Sequence, residues 1–417
     1  MRWIDTVHIQ GDGLRSSAGG TILIDPQDII WEGSGDDVFT DGADYALVAT
    51  NSISLVDVVI SSRQVAGSGR NAHLTEMSTG DSGNITLQAP DIELTNSRIL
   101  SFATGTYNAG NVTLSANYSV ILTNTQIDAS AVTGTAGNTA GDVVIEAINK
   151  SSTVLDDFLP VAVKDSRIKI DSQSVIRGND IVIEALTTAG VRNEFLEDAF
   201  DFVEHSVHDY ISDLDGDLTD VLDEFLGLDV TFGVMQGFDD VADQFAGSSG
   251  ADFLLGDAIP FDVYDVDSSV QIDGILQADG DINISSSAVV ESTVRTLAIS
   301  GFYASVSVTS ADSTISIGGK AVLEAGRDIT IESIVESGVE HEKFHDLFGD
   351  EDPFAVWPLD LSVGVGVMTG NNRIDIGEDV RLTAENGRID ILANTERSAS
   401  ISVSGGRSSS AAALWHW

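Results

Sequence analysis

The sequence predicts a mainly β fold: a β-solenoid of stacked coils, interrupted by a short acidic α-helical insertion. Three observations predict it. A short strand phrase returns along the chain, the 417 residues include 40 glycines but only 6 prolines and no cysteine, and a single internal stretch changes from a period of two to helical spacing. This length exceeds one ordinary core. It suits a solenoid, in which each coil rests on its neighbours and shares one continuous core without disulfides.

The first phrase is a glycine, a polar residue, then alternating apolar and polar residues. It occurs at Gly83 to Ala89 (Gly-Asn-Ile-Thr-Leu-Gln-Ala), Gly110 to Ala116 and Gly141 to Ala147, and returns near Gly178, Gly280, Gly326 and Gly387. Alternation puts Ile85 and Leu87 on one face and Thr86 on the other, the pattern of a half-buried strand. The glycine is expected to supply a positive-φ turn before the strand. A second phrase follows it: Leu94 to Ile99 (Leu-Thr-Asn-Ser-Arg-Ile) matches Leu122 to Ile127, and Asp165 to Ile168 echoes both. Residues 1–189 are therefore read as β-solenoid repeats with several short strands per unit.

Residues 190–246 read as an acidic amphipathic helical insertion. Phe195, Ala199, Val203, Val207 and Tyr210 recur at helical spacing opposite a face of Asp and Glu. Residues 247–417 read as a second solenoid region with longer units: Val270 to Ile284 aligns with Ile315 to Ile331 and with Ile374 to Ala384. The array stops in mid-unit and is read as a fragment. Met1 to Thr6 has no signal-peptide pattern, so export implies an internal piece or another signal.

On these residues the chain resembles filamentous-haemagglutinin-like exoproteins. Gly19 to Ile30 (Gly-Gly-Thr-Ile-Leu-Ile-Asp-Pro-Gln-Asp-Ile-Ile) is similar to the phrase by which they enter a run of coils, and Gly80 to Ala147 to their repeats. The later Ile-Gly-Gly-Lys-Ala-Val-Leu-Glu-Ala-Gly-Arg-Asp-Ile-Thr-Ile unit is similar to repeats of giant bacterial surface adhesins. The resemblance implies a right-handed parallel β-helix, a place outside the cell or on the bacterial outer surface, and a non-enzymatic rod mediating attachment. Implied partners are host-cell, neighbouring-cell or glycan surface ligands.

Charge narrows the partners further. With 66 acidic and 20 basic residues the formal charge is −46, which repels nucleic acid and anionic membranes and favours cations. No apolar run reaches the ~20 residues needed to span a bilayer.

Calcium is the expected cofactor, with two sets of candidate ligands. Gly247 to Asp257 resembles one nonapeptide of calcium-binding repeats and offers Asp252 and Asp257. Asp213 to Glu224 has EF-hand-like spacing, with Asp213, Asp215, Asp217 and Glu224 at ligand positions, although its glycine stands at position 4 instead of 6. His341 to His345 has the form H-E-x-x-H; on a helix it would offer zinc His341 and His345, with Glu342 as general base and Glu378 or Glu385 as a third ligand. The alternatives to an attachment rod are thus a calcium-dependent, polysaccharide lyase-like β-helix enzyme and an HExxH zinc protease. A lyase needs convergent basic residues, and Arg63, Arg70, Arg98, Arg167 and Arg177 are scattered in sequence.

Overall fold

The computed structural model describes residues 6–7, 21–24, 26–133, 138–150, 161–190, 261–297, 302–344, 361–404 and 409–416. The acidic stretch read as helical, residues 190–246, falls outside these apart from Gly190.

The described chain is mainly β and its named strands pair in parallel. Among the described residues, 18 strands form one sheet, 8 short strands form a second and 2 form a third. Along the two larger sheets, inner strands pair with the equivalent strands of the preceding and following units. In the first phrase, Asp44–Val48, Ile85–Thr95, Val112–Thr123, Val143–Asn149, Ile181–Ala189, Ile282–Leu297, Ile329–Phe344 and Ile389–Ser404 succeed one another in register. The second phrase supplies the short sheet, from Val38–Phe39 through Arg98–Leu100 and Gln126–Asp128 to Arg381–Ala384. Pairing also crosses the 191–260 stretch without a break, because Val161–Ile170 pairs with Phe261–Ile272. The two solenoid regions read from sequence are therefore joined in one sheet.

The recurring phrase has a physical reason at each position. Its aliphatic residues stack into rows: Ile85, Val112, Val143, Ile181, Ile282 and Ile329 are fully buried in one continuous core. The polar residue after the glycine builds a ladder along one corner, in which each side-chain oxygen accepts the next unit's main-chain N–H. The ladder runs from Asp44 to the N–H of Asn84 (2.7 Å), Asn84 to Asn111 (2.8 Å) and Asn111 to Asp142 (2.9 Å). It continues through Asp180, Asp281 and Asp328 to the N–H of Arg388.

The glycine acts differently from the sequence expectation. Gly83, Gly110 and Gly141 do not adopt positive φ. A Cβ on Gly110 would instead strike the carbonyl of Gly83, and one on Gly141 the carbonyl of Gly110. Glycine recurs because neighbouring units approach too closely there for a side chain. Three of the four left-handed non-glycine residues among those described belong to the second phrase: Asp57, Asn96 and Asn124, with φ of 56, 51 and 47°, turn successive units at another corner. Asn and Asp tolerate that conformation better than other residues with side chains.

From residue 143 onward the units widen. The single strand Ile85–Thr95 is replaced by pairs of strands that lengthen to the 16-residue Ile282–Leu297 and Phe302–Ile317. The outer halves of these strands form a flange with its own apolar cluster, including Ala189, Tyr264, Val266, Val290 and Val335. Buried hydroxyls mark its junction with the main core. Thr187 donates to Ser166 (2.7 Å), and Ser286, Ser313 and Ser333 are linked at 3.0 and 2.7 Å.

Candidate functional site

The calcium candidates Asp213, Asp215, Asp217, Glu224, Asp252 and Asp257 lie outside the described residues, as does His345. Of the H-E-x-x-H stretch, His341 to Phe344 are described. His341 and Glu342 lie not on a helix but on strand Ile329–Phe344, where His341 pairs with Val294 on one side and Ile401 on the other. Glu385 stands far from His341 along the sheet. It precedes Ile389, which pairs with Ile329, whereas His341 lies twelve residues along the strand, about 40 Å away. Among the described residues, no group of three or more His, Asp or Glu side chains is arranged to hold a metal.

Two of the five arginines are held in place by a buttress on the N-terminal units. After strand Val59–Ser61 the chain leaves the coil, makes the short helix Arg70–Thr75, and returns. Arg63 is fully buried beneath this excursion. It donates to the carbonyls of His73, Glu76 (2.6 Å) and Phe102 (3.2 Å), and its guanidinium lies 3.6 Å from the Phe102 ring centroid. Burial lowers its pKa to about 10, against the opposing field of Asp128, so it remains charged at neutral pH. Arg70 grips Asp37 through two bonds of 2.9 and 3.0 Å. Burial nevertheless raises the Asp37 pKa, outweighing the Val59 N–H and Arg70 that favour its charge.

The same buttress contains a Ser–His–Asp series that no sequence motif announces. His73 Nδ1 lies 3.1 Å from Ser61 Oγ and its Nε2 3.5 Å from Asp41, while its ring stacks on Phe39 at 4.4 Å. A nucleophile must meet its substrate, and both Ser61 and His73 are fully buried. This series fastens the excursion to the coil. A third arginine, Arg177, is also structural: on the short sheet Arg177 donates to Gln277 (2.8 Å), and Gln277 donates to Glu324 (2.9 Å).

Two features remain on the outer face. One is an acidic column: Asp165, Asp267 and Asp312 occupy one register position on successive strands. Burial, then Asp265, Asp312 and Asp165, raise the pKa of Asp267. The column sets like charges against one another. The other is a shallow recess lined by Asn117, Tyr118, Asn149, Lys150, Val163, Lys164 and Asp165. It lies where the register slips between Ala116 and Ser119. Tyr118 and Val163 are 47% and 77% exposed there, so an aromatic face and an apolar side chain meet solvent beside amides, a carboxylate and two lysines. An amphipathic ring with polar neighbours suits a ligand that is apolar on one side and hydroxylated on the other.

Comparisons with family models, with curated proteins and with solved structures find no match. Among the described residues no helix is long and apolar enough to cross a membrane.

Proposed function

We propose that this chain is a segment of a secreted or cell-surface bacterial adhesin or exoprotein. In this reading it folds as a right-handed parallel β-helix and serves as a non-enzymatic scaffold for attachment. The observation that carries the proposal is the unit-to-unit register. The Asn/Asp corner ladder runs from Asp44 to Arg388 and passes the 191–260 stretch without losing step. Such a scaffold places loops at regular heights and holds them stiffly. Right-handedness follows the rule for parallel strands joined by crossovers. The surface charge suits an extracellular setting in which divalent cations screen it.

The recess at Tyr118 is the proposed contact, and a glycan is the ligand class that fits an exposed ring flanked by amides. Glycan-array binding of the full chain tests this. Selective binding that is lost in Tyr118→Ala, with the melting temperature unchanged, supports the reading. Absence of binding, or binding indifferent to Tyr118, removes the recess from it. Calcium belongs to the same proposal, through Asp213 to Glu224 and Asp252 to Asp257. Calorimetric titration of the full chain should show calcium binding that raises the melting temperature. A protein indifferent to calcium would leave the scaffold metal-free.

A further inference from the structure

The charge around the Tyr118 recess departs from that of the chain as a whole. The sequence has 20 basic residues against 66 acidic ones, so a cation readily finds a carboxylate. Arg70, Arg177, Arg327, Arg373, Arg381 and Arg388 each pair with one. Among the described residues, Lys150, Arg167 and Lys169 make no such pair. All three belong to the recess or its margin. Lys150 lines it, directly after strand Val143–Asn149. Arg167 and Lys169 continue the face of strand Val161–Ile170 on which Val163 and Asp165 line the recess, because alternate residues share a face.

Tyr118 stands beside these cations. Its neighbour Ser119 is the register partner of Arg167, which puts Tyr118 one residue along and one strand across from the guanidinium-bearing residue. The other register partners carry no charge: Ser269 beside Arg167, and Ile121 and Gln271 beside Lys169. The adjoining strands therefore leave both cations available. From Val163 to Lys169 the strand advances about 20 Å, a length that takes several sugars in a row.

We propose that the recess binds an acidic polysaccharide with one carboxylate per sugar, a uronic acid chain, which lays a sugar ring on Tyr118 and sets its carboxylates against Lys150, Arg167 and Lys169. This rests on the glycan reading above and narrows it. The Arg167 fork matches a carboxylate bidentately, while the lysines act as point charges. Asn117 and Asp165 remain for sugar hydroxyls. The chain's net charge of −46 limits the ligand from the other side. It repels any polyanion, so a chain with one charge per sugar meets less resistance than a multiply sulfated one. At physiological ionic strength charges beyond about 8 Å are largely screened, and the local cations dominate at contact.

Isothermal calorimetry of the full chain at physiological ionic strength tests the proposal. The probes are oligogalacturonate, its methyl ester, which keeps the sugars and removes the charge, and heparin. The expected result is binding of oligogalacturonate, with the methyl ester weaker by about tenfold or more. Arg167→Gln with Lys169→Gln should weaken oligogalacturonate as much, with the melting temperature unchanged. Arg98→Gln with Lys320→Gln, which changes the net charge equally on the short sheet and on a turn, should not. Equal binding of acid and ester, lost in Tyr118→Ala but kept in Arg167→Gln with Lys169→Gln, would overturn the acidic ligand and leave the glycan reading standing. Binding of none of the probes would overturn the acidic ligand, and the glycan array then decides the wider reading by itself. Heparin bound more tightly than oligogalacturonate, or acid binding indifferent to Arg167→Gln with Lys169→Gln, would also overturn it.

Discussion

Gly110 and Asn111 are neighbours at one corner, yet they are held there by different forces. Gly110 lies against the carbonyl of Gly83, so Gly110→Ala must push two units apart. The expected cost is about 1–3 kcal/mol in urea denaturation, the range for overpacking. Asn111 is a link in the corner ladder, accepting from Asp142 at 2.9 Å. Asn111→Ala should cost about 1 kcal/mol, and Asn111→Asp much less, since a carboxylate accepts the same bond. Arg63→Met should cost roughly 2–4 kcal/mol, because the carbonyls of His73, Glu76 and Phe102 lose their donor beneath the excursion. The recurrence of Gly-Asn/Asp was legible in the sequence; the reason for the glycine was not, because close approach between units thirty residues apart leaves no local mark. Asn96 and Asn124 stood in a recurring phrase and could have signalled the left-handed corner. The Ser61–His73–Asp41 series had no signal, since its members come from a turn, a strand and a six-residue helix.

At the scale of elements, the acidic column and the junction before residue 191 each give a prediction. Folding raises the Asp267 pKa, so the stability linked to this group is fully present below its unfolded pKa and is lost as pH rises through the folded one. Asp267→Asn, which mimics the protonated acid, should therefore raise the melting temperature at pH 7. The gain should fade as the pH falls through the ordinary carboxylate range, which a thermal melt series reads directly. At the junction, Ala189 pairs with Val290 and Phe261 with Val306. Residues 291–305 span the equivalent gap one unit later. Replacing 190–260 with a copy of 291–305 should leave the far-ultraviolet circular dichroism of a β protein intact and abolish the expected calcium response. The strand period had marked the strands in the sequence, whereas the stretch read as helical lies outside the described residues. The H-E-x-x-H spelling did not announce a strand at His341 to Phe344, because five residues cannot say whether the backbone is a helix or the end of a 16-residue strand.

For the whole molecule, the register implies dimensions. Nine stacked strands, from Thr21–Ile24 to Ile389–Ser404, at about 4.8 Å make a column roughly 40–45 Å tall, while a 16-residue strand runs about 50 Å. The described part is thus as wide as it is tall. Its flange offers broad lateral faces. The charge of −46 works against this compact state, so sodium chloride should raise the melting temperature as it screens the column and the rest of the surface. The central claim, that one coil stack continues past the 191–260 stretch, is tested most directly by cross-linking, since the chain has no cysteine of its own. Val182 and Asn283 are register partners on the outer face, at a strand spacing within the Cα range of a disulfide. The account predicts that Val182→Cys with Asn283→Cys oxidises to an intramolecular disulfide, and that Val182→Cys with Ile284→Cys, whose side chain faces the core, does not. Equal cross-linking of both pairs, or cross-linking of the second pair alone, would contradict the coil stack.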